Sequence, residues 1–263
     1  MANAADLEFA GQVALVTGGS SGIGFATARA FLEGGAAVAV CGRSAERGRQ
    51  AAEALGAFGE VEFFAADVTD DSAVAALVTD VVARFGRIDH AFNNAANTEA
   101  ATGEGGFTAM ELAEFEGIVR ASLTSVWLCM RHELPALLAG GGGSIVNTSS
   151  MDAQLRLAGT GSYAAAKSGV EALTVAAAKE FAAQGVRINA IRPGAIRTPM
   201  LERNLQACTA AQRQEREDRY RSMIAMRRIG EPSEIADAVL WLCSSRSSYV
   251  TGQVITVDGS LGL

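Results

Sequence analysis

The stretch from Val13 to Gly24, V-A-L-V-T-G-G-S-S-G-I-G, restricts the folds open to this chain more than any other. Its first five residues are apolar and rich in strand formers, and an apolar-periodic segment runs on past the glycines to about Glu33. The order is strand, glycine turn, helix. Gly18, Gly22 and Gly24 let the backbone bend sharply and approach a ligand, while the helix N-terminus offers unpaired N–H groups and a partial positive charge. A pyrophosphate suits such a place.

The same alternation continues. A second apolar run, Ala36 to Cys41, leads to Gly42, Arg43 and Ser44, and a third, Val61 to Ala65, leads to A-D-V-T-D. Asp67 is placed to meet an adenine, and Asp70 or Ser72 can cap a helix reaching about Phe85. Ile88 to Asn93 reads as a fourth strand, ending in N-N-A-A. Strand and helix alternate with no obvious linker, which predicts an α/β fold: one doubly wound parallel sheet with helices on both faces, a single domain over residues 1–263. Its ligand crevice lies at the carboxyl ends of the strands. In such a fold an acid after the second strand holds the adenosine ribose, whereas an Arg accommodates a 2′-phosphate. Here the acid is missing and Arg43 follows Gly42, which points to NADP(H) over NAD(H), with NAD(H) still open. The plainer reading of Arg43 is an exposed cation in a run that also holds Arg47 and Arg49.

Residues Thr98 to Phe107 read as a loop and about Glu111 to Leu138 as one long helix. Four glycines, Gly140 to Gly143, stop it before a fifth strand, Ser144 to Thr148, which ends in Ser149 and Ser150. The next helix carries Tyr163 and Lys167, four residues apart and so on one face. A phenol has a pKa of about 10, and a nearby cation favours its ionised form, so the pair is a candidate proton donor with its tuner. Only two of the 22 cationic residues are lysines, which suggests that position 167 needs a compact ammonium. After a strand from Val186 to Ile191, Pro193 and Gly194 turn the chain over the crevice and leave Thr198 near the ligand. The charged segment from Leu201 to Tyr220 is a solvated helix by default and a candidate substrate lid over roughly residues 198–222. A last helix, Glu234 to Cys243, and a strand, Val254 to Val257, close the pattern.

A net charge of −7 with no basic stripe excludes nucleic acid or an anionic membrane as the main partner. The first ten residues hold acids and no base before an apolar run, so neither a signal nor a transit peptide is expected, and no apolar run is long enough to cross a bilayer. Cys41, Cys129, Cys208 and Cys243 are scattered without a C-x-x-C, which fits reduced thiols in a cytoplasmic protein and no metal site. The two histidines, His90 and His132, lie near no nucleophile motif, so a Ser-His-Asp hydrolase is not expected.

With T-G-G-S-S-G-I-G, N-N-A-A, S-S followed by Y-A-A-A-K, R-P-G-A-I-R-T-P and V-T-G-Q-V-I-T-V-D-G in this order, the chain resembles the short-chain dehydrogenase/reductase family from end to end. The resemblance implies a Rossmann-type domain, a nicotinamide cofactor and hydride transfer between that cofactor and a small carbonyl or secondary alcohol, most simply as a ketoreductase. It assigns Tyr163 as general acid or base, Lys167 to the nicotinamide ribose and to lowering the tyrosine pKa, and Ser150, 13 residues before Tyr163, to the substrate oxygen. Gly18, Ser21, Ile23 and Gly24 would meet the pyrophosphate, Asp67 and Val68 the adenine, Asn94 the adenosine ribose, and Ile196 and Thr198, beyond the Pro193–Gly194 turn, the carboxamide. A homotetramer is implied as well. Two departures stand out: Ala96 where the family often has Gly, and Ser122 where it usually has the Asn that anchors a proton-relay water. The second motivates an alternative, a cofactor-binding regulatory or scaffold protein without catalysis.

Overall fold

The computed structural model describes residues 7–95, 107–206 and 209–261. Seven parallel strands, β1 Val13–Thr17, β2 Ala37–Gly42, β3 Val61–Ala65, β4 His90–Asn93, β5 Gly143–Thr148, β6 Val186–Pro193 and β7 Val254–Val257, form one sheet in the order β3-β2-β1-β4-β5-β6-β7. The order reverses between β1 and β4, which opens a crevice beyond their carboxyl ends.

Alternation along the strands explains the two cores. Val13 and Leu15 of β1, with Ala39 and Cys41 of β2, face the side covered by α3 Asp71–Phe85, α5 Ser125–Ala139 and α7 Gly161–Phe181. Ala14, Val16, Val38 and Val40 face the other side, under α1 Gly22–Glu33 and α10 Pro232–Cys243. Both faces are buried, so these strands read as continuous apolar runs. The remaining helices are α2 Ala45–Leu55, α4 Leu112–Val119, α6 Asp152–Leu155, α8 Pro199–Gln206 and α9 Ala210–Met223.

Three features differ from the sequence expectation. The long helix over 111–138 is broken into α4 and α5 by a π-helical turn, Arg120–Thr124. The short helix α6 follows Ser150, where no separate element was expected. The expected lid segment is two helices, α8 and α9, tied by ion pairs from Glu202 to Arg197 and Arg213, each 2.8 Å. Of the loop expected over 98–107, residues 98–106 lie outside the described residues, as do Ala96 and Cys208. His90 is buried against Phe31 and bonds Ser144 and Gln12, and burial pushes its imidazole down to about 4. His132 pairs with Asp71 at the surface of α5. No described helix is long and apolar enough to cross a membrane.

Candidate active site

A cavity of about 610 Å³ occupies the switch-point crevice. Gly18, Ser21, Gly22 and Ile23 form its floor, Arg43 and Asp67 with Val68 its β2–β3 end, and Asn94 and Thr198 line it too. The glycine turn needs its glycines. Gly18 and Gly22 have φ of +67° and +56°, in the left-handed region that favours glycine. A Cβ on Gly24 would strike the Gly18 carbonyl oxygen and come within 2.7 Å of Asn94 Nδ2. Asn94 in turn donates from Nδ2 to the carbonyls of Thr17 and Gly18, at 3.3 and 3.4 Å, and so pins the turn. Helix α1 has no side-chain cap at Ser21, whereas α2 and α3 are capped by Ser44 and Asp70. Its first N–H groups therefore remain open toward the cavity, where an anion fits them.

Asp67 Oδ1 accepts from the Thr69 backbone N–H and hydroxyl, at 2.9 and 2.8 Å, which fixes the loop after β3. The cavity wall also contains Ser20, Arg47, Arg120, Met200 and Arg203, none of them assigned from the sequence. For Arg120 and Arg203 no local pattern signals a ligand. Only the fold brings them here.

The second group of residues gathers at the ends of β5 and β6. Ser149 and Ser150 differ in what their hydroxyls do. Ser149 is buried and donates to Glu171 Oε1 at 2.6 Å, so it is committed to the scaffold. Ser150 is half-buried, accepts from the Asp152 N–H at 3.2 Å, and stands within hydrogen-bonding reach of the Tyr163 phenol. Met151 donates its N–H to the Pro193 carbonyl at 3.2 Å, which joins the Ser150 loop to the Pro193–Gly194 turn. Gly194 packs on Asp258 so closely that a Cβ would lie 2.6 Å from that residue's Cβ. Ile196 is buried and pairs with Gly230, behind the turn and off the wall of the large cavity.

Lys167 is buried with its Nζ 5.8 Å from the centre of the Tyr163 ring, donating 2.7 Å to the Thr148 carbonyl. Burial pushes the phenol up to about 12, partly offset by the Ser150 hydrogen bond, and pushes the ammonium down to about 8. The sequence led to the opposite shift for the phenol. Desolvation of the phenolate outweighs the Ser150 hydrogen bond, and the ammonium is turned away to a backbone carbonyl. Ser122, on the π-helical turn, is buried, and its Oγ has no hydrogen-bond partner among the described residues. Chemically the cluster holds a neutral acid, a hydroxyl donor beside it and a weakened ammonium. Such a set can protonate an oxygen that gains negative charge.

Residues 18–261 match a family model described as enoyl-(acyl carrier protein) reductase. A 2,5-dichloro-2,5-cyclohexadiene-1,4-diol dehydrogenase of Sphingobium indicum is 36% identical over 253 residues, 96% of this chain and 97% of the relative. A cis-4-hydroxycyclohexanecarboxylate dehydrogenase of Sinomonas cyclohexanicum is 38% identical over 255 residues, 95% and 96% of the two chains. The crystal structure of a levodione reductase superposes with a TM-score of 0.90 at 36% identity, covering 95% of this chain and 97% of the other.

Proposed function

The chain belongs to the short-chain dehydrogenase/reductase family, NAD(P)(H)-dependent oxidoreductases of carbonyl and alcohol groups, and on that premise we propose that it reduces a cyclic ketone with NADPH. The observation that carries the reading is the Ser150–Tyr163–Lys167 cluster beside a crevice whose glycine turn leaves the α1 N–H groups open. A six-membered carbocyclic substrate is supported by two relatives whose names state one, each about as long as this chain. That every relative named above is a dehydrogenase or reductase lends no support to a silent scaffold.

When bound, a nicotinamide cofactor supplies the hydride in reduction and accepts it in oxidation. The open N–H groups at Ser21–Ile23 would hold its pyrophosphate, with Asp67, Val68 and Asn94 toward the adenosine, and Thr198, beyond the Pro193–Gly194 turn, toward the carboxamide. As the substrate oxygen gains charge, the Ser150 hydroxyl donates a hydrogen bond to it and Tyr163 gives it a proton. A phenol held near 12 keeps its proton at neutral pH, as an acid in reduction must. Lys167, still largely charged at pH 7 with a pKa of about 8, favours the phenolate left behind and would hold the ribose hydroxyls. Ser122, whose hydroxyl has no partner among the described residues, stands where a relay would return a proton to the pair.

Arg43, exposed at the β2 end of the crevice, supports NADP(H) through a 2′-phosphate. Exposed Leu112, Phe115 and Trp127 on α4 and α5 support a homo-oligomer, by family habit a tetramer, which sedimentation velocity measures directly. Buried free thiols at Cys41, Cys129 and Cys243 support a reducing, cytoplasmic setting. Tyr163→Phe tests the central assignment. Its turnover with a cyclohexanone panel should fall by at least about a thousandfold, while NADPH affinity, read by fluorescence titration, stays within about twofold. Near wild-type turnover would sink it.

A further inference from the structure

Among the described residues, four guanidiniums line the crevice, on Arg43, Arg47, Arg120 and Arg203, against one carboxylate, Asp67, in a chain whose net charge is −7. Arg43 and Arg47 lie at the β2 end, and Arg120 donates 3.2 Å to the Thr69 carbonyl on the wall after β3. Arg203 comes from the opposite side, on α8. That helix starts against the glycine turn, since a Cβ on Gly22 would lie 3.3 Å from Thr198 Cγ2 and 3.5 Å from Pro199 Cδ. Arg203 follows Pro199 by one helical turn and so shares the face that meets Gly22. Its own neighbour cannot neutralise it, because Glu202 already binds Arg197 and Arg213. Among the described residues Arg203 has no hydrogen bond or ion pair, yet it lines the same cavity as Ser21, Gly22 and Ile23.

We propose that Arg203 is a pyrophosphate clamp, its guanidinium closing from α8 onto the diphosphate held at the Ser21–Ile23 turn. The planar fork suits two phosphate oxygens at once, and the Glu202 bridges to the 197 loop and to α9 fix the helix that presents it. The proposal rests on the cofactor reading of the crevice and adds to it a residue from the lid. It also gives α8 a reason to sit closed when a dinucleotide is present, whatever the substrate.

ADP-ribose is the probe, because it carries the diphosphate without the nicotinamide or a 2′-phosphate. Calorimetric titration of the full chain should show its Kd rising about five- to tenfold in Arg203→Gln. Arg219→Gln removes the same charge from an exposed site on α9, off the cavity wall, and should leave the Kd unchanged. Equal affinity of wild type and Arg203→Gln would overturn the clamp, as would an equal loss in Arg219→Gln, which would mark a general charge effect. If the wild type itself fails to bind ADP-ribose, the cofactor reading falls and takes the clamp with it.

Discussion

Glu133 shows how far a single residue can depart from its ordinary chemistry in this fold. It sits on α5 with 1% of its surface exposed, accepting 2.9 Å from Asn93 Nδ2, which also donates to Asn147 Oδ1 at 3.1 Å. Burial pushes its carboxyl up to about 7, with the Asn93 bond pulling weakly the other way. A carboxyl raised in the folded state holds its proton more tightly there than in the unfolded chain. Stability is therefore full below the ordinary carboxylate range near 4.5 and falls as pH rises from there to about 7, then levels. Glu133→Gln keeps an oxygen for Asn93 and removes the titration. Its unfolding free energy should exceed that of the wild type by about 3 kcal/mol at pH 8 and match it near pH 4. Urea melts at the two pH values measure this, and a variant equally stable or weaker at both would refute the buried charge. At this scale the sequence was most legible where spacing carried meaning. The family resemblance, through the 13-residue offset from Tyr163, singled out Ser150 from Ser149, and the structure gives the Ser149 hydroxyl to Glu171. Glu133 gave no such signal, because R-H-E-L-P reads as an ordinary solvated stretch until the sheet is laid over it.

Among the elements, the π-helical turn has the most to say about function. By admitting one extra residue between α4 and α5 it changes which side chains face the sheet, and it leaves Ser122 buried with a hydroxyl that has no partner among the described residues. A buried hydroxyl without a partner costs about 1–3 kcal/mol. Ser122→Ala should therefore keep or raise the melting temperature, by up to a few degrees. If Ser122 serves a proton relay, the same variant loses turnover about tenfold and shows a larger solvent isotope effect. Unchanged turnover with a raised melting temperature would leave the hydroxyl without a catalytic part. The strands β1, β3 and β7 and the helix α3 fall where the apolar runs and caps put them, since alternation and Asp70 fix them locally. The π turn was not legible, because R-A-S-L-T holds no glycine or proline to mark it. Pro135, which would be expected to end a helix, lies inside α5, and the helix continues to Ala139. Packing of α5 against α3 and the sheet overrides the local preference at Pro135, and the π turn packs against α7.

Over the whole molecule, charge is distributed against the average. The chain carries −7 overall, yet among the described residues its crevice is lined by four arginines and one aspartate. An anionic dinucleotide thus meets a repulsive far field and an attractive pocket, and only the pocket survives salt screening at short range, since the Debye length is about 10 Å at 0.1 M. No single motif encodes this arrangement. The arginines come from β2–α2, from the π turn and from α8, and the doubly wound topology alone converges them. On the proposed reading, the part of that field that would distinguish the two cofactors is Arg43, exposed at the β2 end of the crevice. A 2′-phosphate would add its charge at this end of the dinucleotide alone, so losing Arg43 should cost NADPH and spare NADH. Arg43→Ala is predicted to raise the Kd for NADPH about tenfold or more, a loss near 1.4 kcal/mol, and to leave that for NADH within about twofold. In the wild type the NADPH affinity should also fall more steeply between low and moderate salt than the NADH affinity, and Arg43→Ala should bring the two slopes together. A wild type that binds NADH more tightly than NADPH would reverse the preference and return Arg43 to an ordinary exposed cation. Equal losses for both cofactors in Arg43→Ala would instead place its charge on the shared phosphates.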